Sequence, residues 1–504
     1  MNYSKTSKEG FSLAEALITL LIVCLIVLMT MPILTKKKRS LNELPHGEWI
    51  CEYNENGQHS SWSQDSPTPV VHDDYCEFIP PTRAQNFTIK AVGGGGGGGA
   101  GYSALKLESF YPGDNRTVDF LARNKYEIVM IGAGGGGGGG NNERGGTRGY
   151  GGGSGAAVSF TFEPEYNISY SLSVGKGGAG GPGDDGKHSG TNGSNGEDTT
   201  FGGIIFAAGG TGGEAVQYDR GPKGCTYKLP FFPDKEIRTG KGCGGKYAMS
   251  DPTGNFKMSN KKSQDGVNAN QTTTGVKTDY FSKVVGSNML KATYSYPYSD
   301  KGISYNEIKI KTDVGSGGIG GQDKNGGGTS GQGGYAAVKS DILVAGSAGE
   351  TAQPVIFPVA TINGKLRIYL GKGGVGGKNL FTSGTHTMQE PADGTSTRVG
   401  ELFTAQYGKA GKNMEIYPSS SDATFVKGED GAVSGFHTEE TPSYGGRSNG
   451  ITSATSNADA ATAFGGGGGG GGARRSTVIG NSTYSNVYSG NGADGANGKV
   501  IIKW

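Results

Sequence analysis

Three runs of almost pure glycine, at 93–99, 134–140 and 465–472, constrain this chain more than any other feature. Glycine loses more backbone freedom on folding than any other residue, so such runs are normally flexible linkers. Ordering them requires a return that only a missing side chain permits, namely backbones packed close together. Three observations favour order over the linker reading. The runs contain almost no serine, they start directly from strand-like segments, and they recur at comparable places along the chain. Polyproline II rods packed side by side meet the requirement, as glycine does at the collagen axis, although no strict Gly-X-Y period runs through the sequence.

The strand-like segments alternate with the glycine. Residues 126–131 run into 132–140, residues 149–162 follow, then 169–174 with Gly-Lys-Gly-Gly-Ala-Gly-Gly behind it, and 201–210 closes the unit. A second copy runs from 333–338 through 365–370, Gly-Lys-Gly-Gly-Val-Gly-Gly and 399–407, and a partial copy starts at Phe87. This spacing predicts two glycine-rich β repeats, at 87–213 and 314–504, separated by a Lys/Tyr-rich insertion at 214–313. Insertions in repeat folds map to loops on one face, so the insertion's aromatic residues Phe231, Phe232, Tyr294, Tyr296 and Tyr298 are the candidate ligand-binding residues. The competing reading is that these rings merely cover the glycine core.

The amino-terminal part reads differently. After a short leader, 1–10, comes an apolar run long enough to span a bilayer, broken only by Glu15 one turn inside it. A carboxylate in lipid is costly and needs a partner. The helical pattern lasts to about Glu43 and ends at Pro45 and Gly47, so residues 11–44 are expected to form a transmembrane helix with Lys36–Arg39 at its solvated end. A connector, 45–86, follows.

With Gly10, Phe11, Glu15 and Pro32 at their positions, this segment resembles the type IV prepilin and pseudopilin signal. The resemblance implies cleavage by a prepilin peptidase after Gly10 and methylation of Phe11. It also implies that Glu15 pairs with a neighbouring subunit's terminal amine, that Pro32 kinks the helix, and that the helix assembles with pilin or pseudopilin subunits. The implied location is the inner membrane, single-pass, with an exported ectodomain displayed as part of a cell-surface filament. The glycine-rich part, over 87–213 and 315–504, resembles domains of phage tail-fibre adhesins and bacterial surface proteins. The expected fold class is thus an N-terminal transmembrane and assembly α-helix plus a mainly β ectodomain with repeated strands and polyglycine segments in polyglycine II packing.

Cysteine usage fits export. Cys24 lies in the apolar run, and the other four form two local pairs, Cys51 with Cys76 and Cys225 with Cys243. Disulfides are the favoured reading, because zinc ligation would want Cys-x-x-Cys spacing and nearby histidines. A net charge of +2 with no basic stripe excludes a dedicated nucleic-acid binder. The glycine loop before Lys187 puts His188 where a phosphate loop needs Ser or Thr, and Gly446-Arg-Ser-Asn-Gly450 has elbow spacing without a strand before it. No catalytic, metal or cofactor site is expected. The function expected is adhesion to a cell-surface or glycan ligand. The alternatives are a pseudopilin-like subunit whose ectodomain is a passive spacer and a membrane-anchored surface protein that does not polymerise.

Overall fold

The computed structural model describes residues 17–22, 45–140, 148–215, 242–249, 257–269, 291–295, 304–307, 313–323, 325–382, 385–437, 440–445, 457–479 and 483–504. The chain divides into two units, one formed by Met1–Lys90, Ile356–Ile368 and Val500–Trp504, the other by Ala91–Val355 and Tyr369–Lys499.

The expectation of a membrane-spanning assembly helix over 11–44 is corrected by the structure. Among the described residues no helix is long and apolar enough to cross a membrane. Residues 17–22 form a helical stretch. Its apolar residues Leu17, Ile18, Leu20, Leu21 and Ile22 are at least half exposed, so no core holds it. The described fold is mainly β, which corrects the expectation of a transmembrane, pilin-like, single-pass membrane chain. Gly10, Phe11, Glu15 and Pro32 lie outside the described residues.

In the first unit a six-stranded sheet runs in the order Val355–Val359, Phe87–Val92, Lys499–Lys503, Glu48–Tyr53, His59–Ser63, Ser66–His72. Trp49, Phe78, Phe87 and Trp504 pack their rings together, with Phe78 5.2 Å from Trp49 and 5.6 Å from Trp504. Gly47 lies beneath that cluster, where a β-carbon would come 2.3 Å from the Trp504 ring. A disulfide joins Cys51 to Cys76, both fully buried, tying the sheet to the short strand Cys76–Phe78. That strand pairs with Leu366–Tyr369, and Glu77 takes Lys365 at 2.8 Å.

The second unit contains a β-sandwich. One sheet has the order Tyr247–Met249, Ile205–Ala207, Thr199–Phe201, Ile168–Ser173, Asn115–Phe120, and the other Met258–Gln264, Ala157–Phe162, Lys125–Ile131, Tyr335–Val344, Tyr102–Phe110. Alternating residues of both sheets fill one core, including Phe110, Phe120, Tyr126, Ile128, Phe160, Phe162, Leu172, Phe201 and Val338. Phe120 lies at its middle, edge-on to Tyr126, Phe162 and Phe201 at 4.8–5.5 Å. The Tyr126 hydroxyl accepts the Leu121 N–H at 2.7 Å, and burial raises its pKa. A polar tip on a buried ring needs such a partner.

The strands do not end in ordinary turns at one end of this sandwich. Lys125–Ile131, Ile168–Ser173 and Ile205–Ala207 lead into glycine-rich segments, and Ala157–Phe162, Thr199–Phe201 and Tyr335–Val344 emerge from them. Those segments are ordered.

Candidate functional site

The glycine segments form two hexagonal bundles of extended rods. In the first, 132–140 is central. Its amides donate to three antiparallel rods, as in Gly134 to Gln332, Gly135 to Gly153 and Gly136 to Ser194, all at 2.8–2.9 Å. Its carbonyls accept from three parallel rods, through Gly178 to Gly134, Gly318 to Gly135 and Gly213 to Gly136, at 2.7–2.9 Å. Each bond recurs three residues on: Gly137 to Thr329, Gly138 to Tyr150, Gly139 to Thr191. A three-residue repeat in partner direction is the signature of the polyproline II helix. The six outer rods, in order around the centre, are 175–183, 326–334, 315–321, 149–156, 208–215 and 190–197, each hydrogen-bonded antiparallel to the next.

The second bundle repeats this arrangement. Rod 93–101 is surrounded by 371–377, 490–498, 465–472, 345–352, 406–413 and 390–396, with Gly94 donating to Thr395, Gly95 to Ala496 and Gly96 to Glu350. The central rod therefore comes from the stretch read as the first repeat, while rods 315–321 and 326–334 of the first bundle come from the stretch read as the second. Strand Tyr335–Val344 connects the two bundles in the chain.

Lack of space, not backbone sign, dictates the glycine. Residues 93–99 and 134–140 have no positive φ. A β-carbon on Gly137 would lie 2.0 Å from the Ile319 carbonyl oxygen, one on Gly136 1.9 Å from that of Ala179, and one on Gly138 2.2 Å from that of Glu214. All three faces of a central rod are closed in this way. An outer rod has one open face, and there every third residue carries a side chain: Lys176, Ala179 and Pro182 in one bundle, Lys372 and Val375 in the other, all exposed. Rod 465–472 is pure glycine although it flanks 93–101, because segments 428–432 and 443–445 close its outer side.

Outward amides that lack a backbone partner receive side-chain oxygens at the same period. Asn192, Asn195 and Asp198 accept from Ala215, Gly212 and Gly209, and Asn491, Asp494 and Asn497 accept from Asn379, Gly376 and Gly373, at 2.7–2.9 Å. Burial raises the pKa of Asp198 against the lowering effect of its Gly209 bond. A buried threonine roots each bundle. Thr199 donates to the Ile131 carbonyl and accepts from Gly175, and Thr397 does the same with Val92 and Gly371. Sequence reading missed these ladders, whose signal was Asn or Asp three residues apart beside glycine three residues apart.

At the end away from the sandwich, the rods of the first bundle turn back through loops, 184–189 and, in part, residues 322, 323 and 325 among the described ones, and the insertion leaves at Ala215. The two loops are adjacent, since a β-carbon on Gly183 would meet the Asn325 carbonyl oxygen at 2.4 Å. Asp184 accepts from Gly186, and Asp323 from Asn325. Asp185 accepts from Lys187 and His188 N–H and lies 3.0 Å from His188 Nδ1. Those bonds, the imidazole first, hold its carboxyl down to about 2, and Asp185 in turn raises the His188 pKa. The glycines before Lys187 thus belong to a rod and an exposed turn, with no helix following. Among the described residues no group of three or more potential metal ligands comes together.

Of the candidate ligand residues, Tyr294 lies in strand Lys291–Ser295, which pairs with Ser304–Glu307 and runs parallel to Thr483–Ser489. Phe231, Phe232, Tyr296 and Tyr298 lie outside the described residues, as do Cys225 and the Gly446–Gly450 motif. Cys243 is disulfide-bonded. No curated protein matches the chain. Residues 113–341, which hold most of the sandwich and all the rods of the first bundle, match the family model of the glycine-rich domain.

Proposed function

We propose that this chain is an adhesion module, similar in design to the glycine-rich domains of phage tail-fibre adhesins, that displays recognition loops on a rigid polyglycine bundle. The observation that carries this reading is the convergence of turns at one end of the first bundle. Loop 184–189, the turn residues 322, 323 and 325 and the departure point of the insertion at Ala215 share that end, while the strands of the sandwich hold the other. Binding residues concentrate on loops that a rigid scaffold positions. A bundle held by backbone bonds on every side is such a scaffold, and it leaves loop sequence free to vary. Rods 93–101, 371–377 and 465–472 of the second bundle instead continue into strands Tyr102–Phe110, Lys378–Thr382 and Ala473–Ile479, which suits a spacer.

The test replaces 216–241 by a short Gly-Ser turn and measures binding of the full chain to an array of immobilised glycans and to whole bacterial cells. Loss of binding is expected while the replaced chain, with Cys243→Ala so that no lone thiol remains, still melts cooperatively. Undiminished binding by the replaced chain, or no binding by the intact chain to either target, contradicts the reading.

A further inference from the structure

The two bundles align residue for residue through their threonine roots, and the alignment exposes one difference. Gly175 and Gly371 occupy equivalent positions, each donating to the root threonine and accepting from the last residue of the next rod, Gly334 or Gly498. Gly327, Ser330 and Gly333 therefore correspond to Asn491, Asp494 and Asn497, and Gly177, Gly180 and Gly183 to Gly373, Gly376 and Asn379.

In the second bundle this edge is closed by the chain itself. Asn491, Asp494 and Asn497 cap the three facing amides, the Asn491 amide donates to Asn457 Oδ1, and the Asn491 and Asp494 carbonyls accept from Ala458 and Ala461. In the first bundle the equivalent positions carry glycine or serine. The amides of Gly177, Gly180 and Gly183, and both the amide and the carbonyl of Gly327 and Ser330, have no hydrogen-bond partner among the described residues. Gly327 and Ser330 are exposed. Gly327 also lacks the usual reason to be glycine, since a β-carbon there would make only ordinary contacts, 3.5 Å from the Gly181 carbonyl oxygen and 3.8 Å from the Gly183 nitrogen.

We infer that the edge formed by rods 175–183 and 326–334 is a docking site for an extended glycine-rich segment of another polypeptide, which adds to the bundle as one more rod. Unpaired donors and acceptors along an edge are a template for pairing, as at the edge of a sheet. Here they recur every three residues, about 9 Å apart at the 3.1 Å rise of polyproline II, so the matching ligand has three residues per turn. The bundle already accepts such an addition elsewhere. Segment 242–246 lies outside rods 149–156 and 208–215, taking the Ala208 and Thr211 amides on its Lys246 and Cys243 carbonyls and donating from Gly245 to Ser154. A glycine at 327 keeps the open edge clear for the same kind of approach. This inference does not depend on the tip loops.

The test is fluorescence anisotropy of a labelled peptide, Gly-Lys-Gly-Gly-Val-Gly-Gly-Lys, with the full chain. Saturable binding is expected, weakened at least tenfold by the pair Gly327→Asn and Ser330→Asp, which copies the closed edge. The pair should keep or raise the melting midpoint, because its side chains cap amides instead of removing contacts. Should the pair lower the midpoint, Ser330→Asp alone is used. No saturable binding to the wild-type chain, or equal binding by the folded capped variant, overturns the inference.

Discussion

At the scale of single residues, glycine in the rods is a matter of space, and the space is measurable. Gly137→Val forces a side chain onto the Ile319 carbonyl oxygen, 2.0 Å from where its β-carbon would be, and should cost about 3 kcal/mol. Gly327→Ala meets nothing closer than 3.5 Å, and should be neutral or stabilise by roughly 0.4–1 kcal/mol, because it removes freedom only from the unfolded chain. Chemical denaturation of the two variants checks the contrast. Thr199→Val keeps the shape but takes the hydroxyl away from the Gly175 amide and the Ile131 carbonyl in a buried place, and should cost about 1–3 kcal/mol.

Asp198 is the ladder position whose charge opposes its burial. Its folded pKa is raised, so its protonated form favours the fold, and that contribution is present below the ordinary aspartate range and lost as pH rises through the raised value. Asp198→Asn, which matches Asn192 and Asn195 on the same rod, should therefore raise the melting midpoint at neutral pH, with the gain shrinking in acid. A gain that is constant with pH would contradict this assignment. The demand for glycine in the runs was legible in the sequence, but the amide caps and the threonine roots were not. Amide capping and the threonine roots depend on which rod lies opposite, and only the assembled bundle supplies that.

Among elements, a rod's composition reports how many of its faces are closed. Rods 93–101 and 134–140 are pure or nearly pure glycine because neighbours stand on every side, and 371–377 reads Gly-Lys-Gly-Gly-Val-Gly-Gly because one face is open. The glycine runs and the strands that feed them were legible in the sequence, as was the pairing of Cys51 with Cys76. The connectivity was not, because the interleaving of 93–101 with 345–498, and of 315–334 with 132–215, joins segments hundreds of residues apart that share only glycine. The amino-terminal helix shows the opposite failure. Its apolar pattern was strong, but among the described residues no helix is long and apolar enough to cross a membrane. The Cys51–Cys76 bond closes a 25-residue separation, and Cys51→Ala with Cys76→Ala should lower the stability of the first unit by about 3 kcal/mol in denaturant titration.

For the molecule as a whole, the glycine segments of the second unit are structural elements on a par with its strands, and the sandwich and the bundles fold together. Each strand of the sandwich that continues into a rod couples hydrophobic burial to a lattice of backbone hydrogen bonds. The entropy lost in ordering glycine is offset by that density of bonds. Amide hydrogen exchange on the full chain tests this most directly. The amides of 94–99 and 134–140, each donating to a neighbouring rod, should be protected to the same degree as those of strand Lys125–Ile131 and should open with it. Exchange of the glycine runs at the rate of an unstructured peptide, while the strand remains protected, would show that they are linkers and contradict the account.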